Sequence, residues 1–161
     1  MSEVKFRGYG PVVPLVALFL ILTTPLHAGI PGSTSPINVD AKGVALRGYD
    51  PVAYFEDGKP ARGAENLSAS YGGARYLFAS EAHRKLFLEN PKKYIPQYGG
   101  FCAVGTSYDE KVDVDPETGK IVNGKLYLNN SPKVLEIFEH DTQNTISRAD
   151  QKWPIVKDKA L

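Results

Sequence analysis

Residues 71–102 read YGGARYLFASEAHRKLFLENPKKYIPQYGGFC, and the reading of this stretch decides the fold. Leu67, Ala69 and Tyr71 alternate with polar or small residues, Gly72-Gly73 turns the chain, and Arg75 to Phe78 returns, which predicts a β-hairpin. Ser80 can accept from the free amides at the start of a helix and Pro91 closes one, so a helix is predicted from Ser80 to about Asn90. Leu86 and Phe87 direct its apolar face at the hairpin. Tyr94 and Pro96 then lead to Gly99-Gly100-Phe101-Cys102-Ala103-Val104, an apolar run with small residues that reads as buried and that fits a helix or a strand equally. Hairpins packed against short helices predict a small α+β domain.

Downstream the same alternation of elements continues. Asp113 to Lys120 is polar and reads as a loop, whereas Ile121 to Leu128 contains Asn123-Gly124, the dipeptide suited to the φ > 0 turn of a tight hairpin. Ser131-Pro132 starts a helix through Phe138, with Val134, Leu135 and Phe138 on one face, and a second helical piece runs from Thr142 to Lys152 and ends at Trp153-Pro154. Upstream, Asp50 can cap a single helical turn with Pro51 at its first position. Ile37 to Leu46 reads as an edge strand or extended arm, and Gly29 to Pro36 as a flexible Gly/Pro/Ser spacer. The expected organisation is a signal peptide over residues 1–28, a spacer over 29–36, a domain over 37–156 and a tail over 157–161.

The first 28 residues carry the marks of export. Lys5 and Arg7 form a basic start, Val12 to Leu22 is an uncharged apolar run, and Ala28 offers a small residue for cleavage. The run is shorter than the roughly 20 apolar residues a spanning helix needs, and Pro11, Pro14 and Pro25 interrupt it, so no stable membrane span is expected after signal removal. A periplasmic or secreted address follows.

A chain of 161 residues with 42% hydrophobic and 23% charged side chains supports one globular domain with a core. Loss of Glu3, Lys5 and Arg7 with the leader reduces 19 basic and 18 acidic side chains to 17 of each, a mature chain of zero net charge. Without a basic stripe, neither nucleic acid nor an anionic membrane surface is an expected partner. The single cysteine, Cys102, forms no internal disulfide, so in an oxidising compartment it must be buried or kept for a use.

Chemistry is sought first at Cys102 and His83. His83 stands three residues into its helix and four before Phe87, on the inward side. A neutral imidazole there could bind a metal or accept a proton, or it could simply pack. Cys102 reads equally as a small buried hydrophobe beside Phe101 and Val104. Asp50 reads as a helix cap, with Tyr49 and Tyr54 packing around it. His140, at a helix end between Glu139 and Asp141, reads as a surface residue. The acidic residues Asp109, Glu110, Asp113, Asp115 and Glu117 lack the spacing of a calcium loop. No nucleophile elbow, phosphate loop, paired C-x-x-C or H-E-x-x-H is present.

The run Gly48-Tyr49-Asp50-Pro51-Val52, the pattern Tyr71-x-Gly-x-x-Tyr76-x-Phe78-Ala79-Ser80, and then Phe87, Pro91 and Tyr94 resemble the YHS domain. The continuation through Tyr98 to Cys102, the Gly124 to Asn129 hairpin and Ala149-Asp150-x-x-Trp153-Pro154 is similar to longer, exported bacterial members. The resemblance implies a small α+β domain and, from cysteine-rich relatives beside metal transporters and oxygenases, binding of copper, zinc or similar ions. Those relatives carry cysteine at the positions of Ala53, Ala79 and His83, so here only His83 remains, with Cys102 added by the longer form.

Three functions are therefore expected to compete. The first is an exported binding domain that contacts copper or zinc through Cys102 and His83, with the Gly99-Gly100 backbone allowing their approach. The second is a metal-free domain that binds a protein or small ligand over a structural Cys102. The third is a thiol enzyme in which His83 activates Cys102.

Overall fold

A computed structural model describes residues 29–161; the expected leader, residues 1–28, lies outside the described residues. The elements follow in the order α1 (Ala53–Glu56), β1 (Ala64–Tyr71), β2 (Ala74–Phe78), α2 (Glu81–Glu89), α3 (Pro91–Tyr94), α4 (Ala103–Ser107), β3 (Asp115–Val122), β4 (Lys125–Asn129), α5 (Pro132–His140) and α6 (Thr142–Val156). Two antiparallel hairpins, β1 with β2 and β3 with β4, are each backed by helices, and the fold is α+β.

The stretch 71–102 folds largely as its residues dictate. Gly72 and Gly73 take φ of 59° and 89° at the hairpin turn, and Tyr71 pairs with Ala74 and Ala69 with Tyr76 across it. The Ser80 hydroxyl accepts from the His83 amide, capping α2, and Pro91 starts the separate turn α3. Phe87, fully buried, carries the packing of α2 on the hairpin: its ring centroid lies 5.0 Å from that of Tyr76, 5.1 Å from Phe78 and 6.2 Å from Tyr71. Removing such a side chain from water stabilises the fold by about 2–3 kcal/mol.

The first half joins the second through α1. Tyr54 lies against β3, where its hydroxyl donates to the Pro116 carbonyl at 2.9 Å. A Cβ at Gly119 would stand 2.2 Å from the Tyr54 ring, so the contact requires glycine there.

Within the second hairpin, Asn123 (φ 50°) and Gly124 (φ 71°) make the turn expected of them. An added Cβ at Gly124 meets nothing within 4 Å, so its replacement is opposed by backbone conformation alone. Gly124→Val is expected to destabilise by about 1 kcal/mol or more. An unchanged urea midpoint would count against the left-handed turn.

Several boundaries differ from the sequence reading. The polar segment from Asp113 is not all loop, because β3 begins at Asp115; the buried hydroxyl of Thr118 shares its one proton between the carbonyls of Asp115 and Asn129, each 2.6 Å away, and accepts the Asn129 amide, satisfying backbone where the pairing register shifts. Helix α6 continues through Pro154 to Val156. Pro154 there forfeits one late amide bond, while Trp153 beside it packs at 6.0 Å from Tyr98 and 6.3 Å from Phe101, and Val156 is buried. Residues 37–46 form a turn with isolated bridges, Val39 to Ala45 and Val44 to Arg75, instead of a strand.

The spacer and tail are both tied down. The Gly32 amide donates to the Leu161 carbonyl and the Leu161 amide to Ser33, each at 3.0 Å. The Lys111 ammonium, brought in over the Phe101 ring, donates to the carbonyls of Lys157 and Lys159. Composition alone conceals this, because the bonds use backbone groups that any residue has.

Candidate functional site

The most unusual polar group of the interior is Asp50, whose side chain is wholly buried. It precedes α1, and its Oδ1 accepts the Val52 amide at 2.8 Å. Its Oδ2 reaches across the fold to accept the Ala79 amide at 2.8 Å and meets His83 Nδ1 at 2.7 Å. Three donors therefore converge on one carboxylate from the α1 turn, the end of β2 and the first turn of α2. The α2 cap makes this arrangement, since the bond from the His83 amide to Ser80 sets the start of the helix that carries the imidazole inward.

An ionised carboxylate only accepts, so Nδ1 of His83 is the donor in this pair. In the neutral ring the lone pair then falls on Nε2. Nε2 lies 3.7 Å from Oδ1 of Asp57, which is more exposed, at the end of α1. The His83 side chain is 13% exposed, so one edge of the ring reaches the surface while the other is held by a buried anion. Beside Asp57, Glu56 accepts from Lys93 at 3.1 Å and from the Tyr94 hydroxyl at 3.0 Å, which occupies that carboxylate and holds it below its usual range.

Cys102 belongs to a different neighbourhood. It is 1% exposed, and its Sγ accepts the Gly105 amide at 3.4 Å, capping α4. Burial pushes its thiol up, against the opposing hydrogen bonds from the Gly105, Asn130 and Val104 backbone. Asn129 Oδ1 stands 3.9 Å from the sulfur, and a surface cleft of about 470 Å³ beside it is walled by Val104, Val112, Val134 and Tyr108. No hydrogen-bond partner is shared by Cys102 and His83. The imidazole spends Nδ1 on Asp50, and the thiol is engaged at the start of α4.

Gly99-Gly100, expected to let Cys102 approach His83, serves another contact. A Cβ at Gly99 would lie 1.9 Å from the Pro36 carbonyl oxygen. The acidic residues 109–117 are also dispersed: Asp113 pairs with Arg47, Glu117 accepts from Tyr49, and Asp109 pairs with Lys152. Among the described residues, no group of three or more His, Cys, Asp or Glu side chains could hold a metal ion, and no helix is long and apolar enough to cross a membrane.

Residues 52–98, which run from α1 through the first hairpin and α2 to Tyr98, match the family described as the YHS domain. The chain carries a YHS domain. No curated protein and no solved structure matches the chain. The YHS segment contains His83, Asp57 and Ala79, while Asp50 lies just before it and Cys102 just after it. Asp50 thus ties the edge of this segment to its interior, since the Ala79 amide and His83 Nδ1 both donate to it.

Sequence reasoning missed Asp50 and Asp57 as partners of His83. Aspartate before proline at a helix start is explained locally, and nothing in the spacing shows that residue 50 meets residue 83. The signal that was legible is the Asp50 carboxylate itself, set among Val52, Ala53 and Tyr54, since a buried charge requires partners.

Proposed function

We propose that this chain is an exported YHS-type binding domain that contacts a transition-metal ion, copper or zinc, through Nε2 of His83. The observation that carries the reading is the bond between His83 Nδ1 and the buried Asp50 at 2.7 Å. A carboxylate behind the imidazole fixes its tautomer and orients the ring, the usual outer support of a metal-ligating histidine. Asp57 supplies an oxygen donor 3.7 Å from Nε2, close to the roughly 3.3 Å expected between two donors on a tetrahedral zinc. An imidazole and a carboxylate suit Zn(II) or Cu(II) better than the soft Cu(I) expected of a thiolate. Two protein donors leave positions for water or for a partner's ligand, which fits transient contact better than a closed structural site. The leader-like sequence of residues 1–28 supports a periplasmic or secreted address.

Isothermal titration of the mature protein with Zn(II) and Cu(II) tests the reading. Binding is expected at one ion per chain, to vanish in His83→Gln, and to persist in Cys102→Ser. Asp50→Asn, where folded, is expected to weaken it by roughly 10–100-fold through loss of the orienting carboxylate. Equal binding by the parent and His83→Gln, or none by the parent, would end the proposal.

A second reading, a metal-free domain for a protein or small ligand, is favoured by the Cys102 region. The protonated, buried thiol lies beneath a cleft of about 470 Å³ with the exposed ring of Tyr108 on its wall. In that reading Cys102 is structural and the cleft takes the ligand. The thiol-enzyme reading gains no such support, because no contact joins His83 to Cys102 and the bond of its imidazole goes to Asp50.

A further inference from the structure

Gly29 is the first described residue and is buried. Its nitrogen lies 3.3 Å from Oδ2 of Asp113, an oxygen that also accepts Arg47 Nη2 at 2.8 Å. The other oxygen of Asp113 accepts Asn38 Nδ2 at 2.8 Å and the Val114 amide at 2.7 Å. Burial opposes the charge on Asp113, but the hydrogen bonds from Asn38, Arg47, Val114 and Gly29 outweigh it and hold the carboxyl below its usual range. A further acceptor stands beside them. Asn38 is 4% exposed and uses Nδ2 on both Asp113 and the Gly100 carbonyl, which fixes the orientation of its amide. Its Oδ1 is therefore buried with no partner, and the ideal Cβ position of Gly29 is only 3.2 Å from it.

A peptide nitrogen at residue 29 has one proton, directed to Asp113, and leaves Asn38 Oδ1 unsatisfied. An ammonium has three protons and can serve both oxygens. We infer that Asp113 and Asn38 form a receptor for the α-ammonium of a mature chain beginning at Gly29, an inference that rests on the exported reading above. Hydrolysis of the Ala28–Gly29 amide by an export-site endopeptidase consumes one water, breaks the C–N bond and leaves a carboxylate on Ala28 and the ammonium on Gly29. The paired backbone of Gly32, Ser33 and Leu161 holds the segment in place, with the Leu161 side chain against Gly29. Removal of the leader thus completes a hydrogen-bond set that the precursor leaves open, so processing itself finishes the fold at this edge.

The chain is expressed with its leader, the exported protein is sequenced from its N-terminus, and trace acetylation of the α-amine is followed against pH by mass spectrometry. Gly29 is expected as the first residue. Its α-amine is expected to titrate about one unit above the roughly 7.7–8.0 of free α-amino groups, with Arg47 opposing and Asp113 producing the shift. The shift is expected to disappear in Asp113→Asn, and equally in a protein that retains Ala28, which needs no change in the folded core. A different first residue overturns the processing site, and an unshifted α-amine on Gly29 overturns the receptor. Failure of export overturns the exported reading alone, because a chain beginning at Gly29 and released from a cleavable fusion can still be titrated.

Discussion

Asp50→Ala is expected to lower stability by about 3–5 kcal/mol, read from the urea midpoint and slope of the mature protein. The wild-type carboxylate is fully buried and accepts the amides of Val52 and Ala79 and the Nδ1 proton of His83. Alanine removes the acceptor and leaves three donors with nothing to replace the water they lost on folding. Asp50→Asn keeps a carbonyl oxygen for part of the set and is expected to lose less. His83→Ala is expected to lose less again, because the two backbone amides still satisfy Asp50. This order separates a polar hub from a mere helix cap, whose removal costs about 1 kcal/mol. A loss of that smaller size in Asp50→Ala would show that the three bonds contribute little. Should Asp50→Ala fail to fold at all, Asp50→Asn against His83→Ala still tests the order.

Gly99→Ala is expected to destabilise by about 3 kcal/mol or more. Gly99 has φ +60°, and a Cβ there would lie 1.9 Å from the Pro36 carbonyl oxygen, a backbone atom that cannot swing aside. The Gly99 carbonyl also accepts the Asn38 amide at 2.9 Å, so relief of the clash would pull on Asn38 and its bonds to Gly100 and Asp113. Gly124→Ala is the control: that glycine has a similar φ of +71° but open space around its Cβ position, and it should cost about 1 kcal/mol. Equal losses at the two sites would mean that backbone conformation, and not the close approach of residue 36, governs Gly99.

Both experiments probe contacts between segments far apart in the chain, and these are the features the sequence reading did not contain. Gly99-Gly100 predict an approach of Cys102 to His83, and the close approach the structure shows at Gly99 is to residue 36. His83 lies partly buried, with Asp50 as the partner of its Nδ1.

The amino-acid sequence by itself determined the local elements: the Gly72-Gly73 and Asn123-Gly124 turns, the Ser80 and Ser131 helix caps, and the apolar face of α2 centred on Phe87. Each depends on φ preference, a cap or periodicity within a few residues, and so can be read from neighbours alone. Together they determined the α+β class and the YHS pattern. Only the tertiary structure decided that Asp50 holds His83, that Cys102 caps α4, and that Gly29 meets Asp113. Those pairs are 33 residues apart for Asp50 and His83 and 84 for Gly29 and Asp113. Over such separations a polar side chain has many partners of suitable chemistry, and burial against one of them selects the pair, because a group removed from water must find its hydrogen bonds inside the fold.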